Sequence, residues 1–116
     1  VDLRDMSTIL FNDRYGLKRI YYHENRDGLY FASEAKSILK VLPELRQIDH
    51  RSMAETFSCG CVFQNRSLFS GVSLVPGGSA WKFDTGKKFV KTFCYLLSTD
   101  YIRVSRIYWL IFVPLN

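Results

Sequence analysis

The chain has 116 residues, enough for one small domain that buries about two-thirds of its unfolded surface. Its hydrophobic content of 47% and charged content of 23% are those of a globular protein, so intrinsic disorder is excluded as the first reading. The net charge of +5 comes from bases scattered along the chain, a pattern of solvated surface rather than of a nucleic-acid footprint.

The opening "VDLRDMST" has no apolar core and no small-residue cleavage site, so no signal peptide is expected. It begins on Val1, not Met, on the approach to a strand, which leads us to expect a fragment. Residues 7–12, "STILFN", have the apolar and β-branched density of a strand, and residues 13–16 supply turn chemistry. "KRIYYHE", 18–24, reads as a second strand. "NRDG", 25–28, is a hairpin signal because Asp-Gly tolerates the positive φ of tight hairpins. "LYFAS", 29–33, returns as a third strand, and the three are expected to form an antiparallel meander.

The period then changes. Ala35, Ile38, Leu39 and Leu42 fall on one face of a helix, with Ser33 expected as its N-cap, Glu34 in its first turn and Pro43 as its stop. A second helix is expected to start at Asp49 as N-cap, to carry Met53 and Phe57 on one face and to stop at Gly60. "SLFSGVSLVPGGSAWKFD" places a turn at 75–78 before a strand at 79–83. Strands followed by helices and a further strand describe an α+β domain. Residues 88–116 contain no Gly and no clean apolar period; added strands, a helix or a poorly patterned tail all fit them. The run "IYWLIFV", 107–113, is too short to span a bilayer.

Little of this resembles an active site. His23 and His50 stand in no triad motif and read as surface or hairpin residues, and Asp27 with Glu34 as solvated charges. Cys59, Cys61 and Cys94 are odd in number, and "CGC" lacks the two-residue spacer of zinc and redox motifs, so buried or idle thiols in a reducing compartment are expected. In "NDRYG", 12–16, Gly16 is followed by a strand, so no helix N-terminus is offered to a phosphate; "VPGGS" is too short for the same task. The corner reading fits better. Asp13 can accept from the amides after it, Gly16 permits a bend, and Arg14 can pair with an acid across the sheet, at about 0–1 kcal/mol if exposed.

Read together, "NDRYGLKRIYY" and "LYFASEAKSIL" resemble class II, N-terminal-nucleophile glutamine amidotransferase domains, as found in glutamine-hydrolysing asparagine synthetases. That family carries "R-D-R-x-G-x-K-P-L-Y-Y" followed by "F-A-S-E-x-K". Asp13, Arg14, Gly16, Lys18, Tyr21, Tyr22, Phe31, Ala32, Ser33, Glu34 and Lys36 match in order and spacing. "QIDHRSMAETFSCG" and "SLFSGVSLVPGGS", with Pro76 and Gly77, follow in the family's succession, so the resemblance runs to about residue 83. Asn12 stands where the family usually has Arg, removing a guanidinium contact. Arg19 and Val75 each stand in place of a Pro.

The resemblance implies an α+β fold of antiparallel sheets with packed helices, part of a four-layer αββα N-terminal-nucleophile domain. It assigns residues 1–90 to the C-terminal part of that domain and leaves 91–116 as an unassigned tail from a truncated or frame-shifted end. The parent's activity would be hydrolysis of glutamine to ammonia, passed to an aspartyl-adenylate in a synthetase domain that holds ATP and Mg. The family's nucleophilic cysteine and glutamine-binding residues lie upstream of the matched segment, and its "S-G-G-x-D-S" loop has no counterpart here. No catalytic, cofactor-binding or metal residue is therefore assigned, and none of the cysteines inherits the nucleophile's role. Asp13, Arg14, Gly16, Lys18, Tyr21, Ser33, Glu34, Lys36, Pro76 and Gly77 are implied to be structural, with Leu17 a candidate wall of the ammonia passage. Implied partners are the rest of the amidotransferase domain and the synthetase domain, with glutamine and aspartate as substrates, in the cytoplasm, without nucleic acid or membrane. The alternative is a small basic, non-enzymatic module that binds single-stranded nucleic acid or another protein through its aromatics and bases. Residues 103–113 also raise peripheral membrane association.

Overall fold

Residues 8–26, 28–83, 90–93 and 111–114 are described by a computed structural model. The expected strands form, but the first of them chooses a distant partner. β1 (Thr8–Phe11) pairs antiparallel with β5 (Ser79–Phe83), Leu10 opposite Trp81, and β5 pairs in turn with β6 (Val90–Phe93). β2 (Tyr21–Glu24) pairs with β3 (Gly28–Ala32), which takes β7 (Ile111–Pro114) on its other side, while the short β4 (Ser73–Leu74) lies beside β2. The result is an α+β architecture with two antiparallel sheets, ordered β1-β5-β6 and β4-β2-β3-β7. The expected meander is corrected: β2 and β3 form a hairpin, and β1 belongs to the other sheet. Residues 12–20 therefore carry the chain from one sheet to the other instead of turning it back within one.

Alternation along β3 explains the layers. Leu29 and Phe31 face the other sheet, where they pack with Leu10, Val75 and Trp81. Tyr22 meets Trp81 edge-on there, ring centroids 4.8 Å apart at 89°. Ala32 points the opposite way, into a second cluster with Ile38, Leu39 and Val72. That cluster is the apolar face of α1 (Ala35–Val41), with Ala35 and Leu42 completing the stripe read from the sequence. A helix layer thus covers one face of the β2–β3 sheet, and the other sheet covers its opposite face.

The β2–β3 hairpin is closed by Asn25. Gly28 is already the first strand residue, and its amide donates to Asn25 Oδ1 at 3.0 Å while the Asn25 amide donates to the Gly28 carbonyl. Asp27 lies outside the described residues. Ser33 does not cap α1. The N-cap position is Glu34, with extended backbone and no side-chain cap, and its carboxylate instead meets Lys36 Nζ at 2.6 Å. At the other end Arg46 Nε donates to the Leu39 carbonyl, and Pro43 opens a 3-10 turn, Pro43–Leu45.

α2 (His50–Cys59) matches its sequence signals at both ends. Asp49 accepts from the Ser52 amide and hydroxyl, and Gly60 adopts φ 74° in the left-handed region. Its apolar residues behave differently from expectation: Phe57 is 85% exposed, and the fully buried residue is Ser52. Cys59 and Cys61 are exposed, not buried. Of the unassigned tail, residues 90–93 and 111–114 are strands, one on each sheet. No helix among the described residues is long and apolar enough to cross a membrane.

Candidate functional site

Two of the places where the chain passes between sheets lie against each other. One is the corner after β1, residues 12–18; the other is the turn between β4 and β5, residues 75–78. Asp13 organises the first. Its Oδ1 accepts from the amides of Tyr15 (3.0 Å) and Leu17 (3.1 Å), and its Oδ2 from that of Lys18 (3.2 Å). Partial burial raises its pKa, but the amides of Leu17, Lys18, Tyr15 and Gly16 outweigh that effect and hold the carboxyl below its ordinary 3.8. The Asp13 carbonyl accepts from Gly16 and, across the junction, from Gly78 at 2.7 Å.

Backbone contact is the reason for the glycines. Gly16 has φ 65°, which an L side chain rarely adopts. Gly77 is constrained by proximity: a Cβ there would stand 2.8 Å from Gly16 N and 3.0 Å from both Arg14 O and Tyr15 C. Two motifs separated by sixty residues in the sequence are therefore one structure, in which the chain touches itself main chain to main chain. Pro76 and Ser79 shape the second turn, the Ser79 hydroxyl donating to the Pro76 carbonyl at 2.6 Å.

Asn12 is the residue that sequence reading undervalued. Its presence in place of Arg predicts a lost guanidinium contact, yet its side chain is buried and bridges both crossings. Nδ2 donates to the Val75 carbonyl at 3.1 Å, and Oδ1 accepts from the Asp13 amide at 3.0 Å. Its own amide donates to the Ser79 carbonyl. Val75 also does more than replace a proline. Its amide donates to the Ile20 carbonyl at 2.8 Å, a bond that proline has no hydrogen to make. The available signal was the pair of small polar residues, Asn12 and Ser79, immediately beside the two glycine turns.

The remaining residues lie apart from this junction. Arg14 has no acid partner among the described residues and lies over the Tyr15 ring, 5.6 Å from its centroid. Lys18 is exposed and enters through its amide. Tyr21 packs against the α1 cluster, and Ser33, Glu34 and Lys36 sit at the exposed start of that helix. Leu17 is 80% exposed on the outside of the corner.

A second polar cluster surrounds Arg66. Its guanidinium pairs with Glu55 and lies 3.8 Å from Asp49 Oδ2, while Glu55 Oε2 accepts from the Phe63 amide at 3.0 Å. The hydrogen bond from Arg66, together with that amide, holds Glu55 below its ordinary range, and the Ser52 side chain does so for Asp49. A cleft of about 280 Å³ opens beside Arg66. Two carboxylates already match that cation, so no positive charge remains to draw an anion in.

A family profile described as a glutamine amidotransferase domain matches residues 1–94. The chain belongs to that family. The match covers both crossings, both helices and every strand up to β6, so the paired glycine turns belong to the amidotransferase domain itself. No curated protein matches the chain.

Proposed function

We propose that the chain is the scaffold half of a class II, N-terminal-nucleophile glutaminase domain of the asparagine-synthetase type. It supports glutamine hydrolysis without supplying the bond-breaking groups. The observation carrying this reading is the use made of Asp13: both carboxylate oxygens are engaged by backbone amides, leaving a corner built to hold shape rather than to move protons. The helix–sheet–sheet order supports a part of the αββα sandwich, with the outer layer on the β1–β5–β6 sheet completing it.

In this reading glutamine is hydrolysed by residues upstream of the matched motifs, and ammonia passes to an aspartyl-adenylate in a synthetase domain. Leu17 would contribute an apolar wall to that passage, which suits neutral ammonia over ammonium. ATP and Mg belong to the synthetase domain. We assign the chain to the cytoplasm on the same reading.

The test is a transplant. Residues 8–83 replace the corresponding segment of a glutamine-dependent asparagine synthetase, and asparagine formation is compared with glutamine and with ammonia as nitrogen donor. Retained use of both donors supports the scaffold role and the synthetase type. Loss of glutamine use alone, in a chimera that folds, overturns it. Glutamate release from glutamine by the isolated chain, abolished by heat, would also overturn it.

A further inference from the structure

Chemistry-bearing side chains also meet at the end of α2, away from the crossings. Cys59 is the last residue of that helix, Gly60 its left-handed cap, and Cys61 the first residue beyond; both thiols are free and exposed. The conformation of the spacer sets how far apart the two Cα atoms lie. Gly60, at φ 74° and ψ 2°, is in the mirror image of a helical step. On a helix of radius about 2.3 Å and rise about 1.5 Å per residue, Cα atoms two residues apart are separated by about 5.4 Å. That lies well inside the window of about 4.4–6.8 Å over which disulfides close, whereas an extended spacer would set them about 6.7 Å apart, at its edge.

The turn is also held from both sides. The Gly60 amide donates to the Thr56 carbonyl at 2.9 Å, and the Phe63 amide donates to Glu55, which Arg66 fixes in turn. Nothing lies within 4 Å of where a Gly60 Cβ would stand, so a small reagent has open access to this knuckle.

We propose that Cys59 and Cys61 form a dithiol site that reacts with low-molecular-weight disulfides of the glutathione class to give an intrachain Cys59–Cys61 bond. One cysteine thiolate attacks a sulfur of the small disulfide, breaking its S–S bond and expelling one thiolate, which takes up the proton the cysteine lost. The second cysteine then attacks the protein sulfur of the mixed disulfide and expels the second small thiol. Two protein thiols are oxidised and one disulfide is reduced to two thiols, so electrons and protons balance. An exposed bond across so short a loop belongs to the labile class, and excess reduced thiol reverses it. This site is independent of the amidotransferase reading.

The experiment uses the full chain carrying Cys94→Ser, incubated with oxidised glutathione, alkylated and analysed by intact mass and peptide mapping. The expected result is loss of both alkylation sites, no retained glutathione and an internally linked 59–61 peptide. Phenylarsine oxide, a probe for paired thiols, should bind once per chain and protect both cysteines from alkylation. Adding Cys59→Ser or Cys61→Ser should arrest the reaction at a stable glutathione adduct and abolish arsenical binding, with circular dichroism unchanged. Stable glutathione adducts on both cysteines, disulfide-linked dimers, or no reaction would each overturn the proposal.

Discussion

Gly60 and Gly77 end two different kinds of turn, and the same substitution should expose the difference. Gly60 sits in open space and is required only for its left-handed backbone. Gly77 is not in the left-handed region; it is required because three main-chain atoms of the other crossing occupy the place of its Cβ. The end of α2 is thus specified locally, by the conformational preference of one residue. The crossing is specified by contact between distant parts of the chain, which have no flexible side chain between them to give way.

The largest predicted effect follows from that contact. Gly77→Ala should cost about 3 kcal/mol or prevent folding, because backbone, not a rotamer, must move; urea unfolding followed by tryptophan fluorescence measures it. Asn12→Ala comes next, at about 1–3 kcal/mol, since it leaves the Val75 carbonyl and the Asp13 amide without their buried partner. Gly60→Ala should cost about 1 kcal/mol, the strain of a left-handed alanine without a clash. If Gly60→Ala proves as damaging as Gly77→Ala, the distinction between local and contact-driven glycines fails.

The smallest effect is the most specific in its pH dependence. The folded pKa of Asp13 is depressed, so its contribution is complete above the ordinary carboxylate range and is lost as pH falls through the depressed value. The stability difference between the parent and Asp13→Asn should therefore shrink as pH falls from above the ordinary carboxylate range through the depressed value. Asp49 and Glu55, depressed by their own partners, keep both proteins acid-sensitive, so the difference and not either curve is diagnostic. A difference that stays flat across that range would remove the ionised carboxylate from the account of the corner.

What was legible in the sequence divides along the same line. α2 was readable at both ends, because Asp49 and Gly60 act on amides and carbonyls within a few residues of themselves. The Ala35–Leu42 stripe was readable for the same reason, since periodicity reports which face of a helix is buried. Strand partners were not. The apolar and β-branched density of "STILFN" marks a strand but carries no information about the strand beside it, and adjacency in sequence favoured β2 over the actual partner, β5. Asn12 was misread because its value depends on a carbonyl 63 residues away. Phe57 was misread because apolar spacing implies a packed face only where another element arrives to cover it.

The junction also bears on the order in which the chain acquires its shape. The β2–β3 hairpin and α1 need only neighbours in sequence, and their contacts form at little cost in loop closure. The Asn12–Val75 bridge cannot form until both ends of a long loop have been brought together, and its glycine contact tolerates no approximate docking. β1 should consequently be the last strand of its sheet to settle. Until then its partner edge on β5 stays unpaired, and that waiting edge is where a second chain would find a template during synthesis.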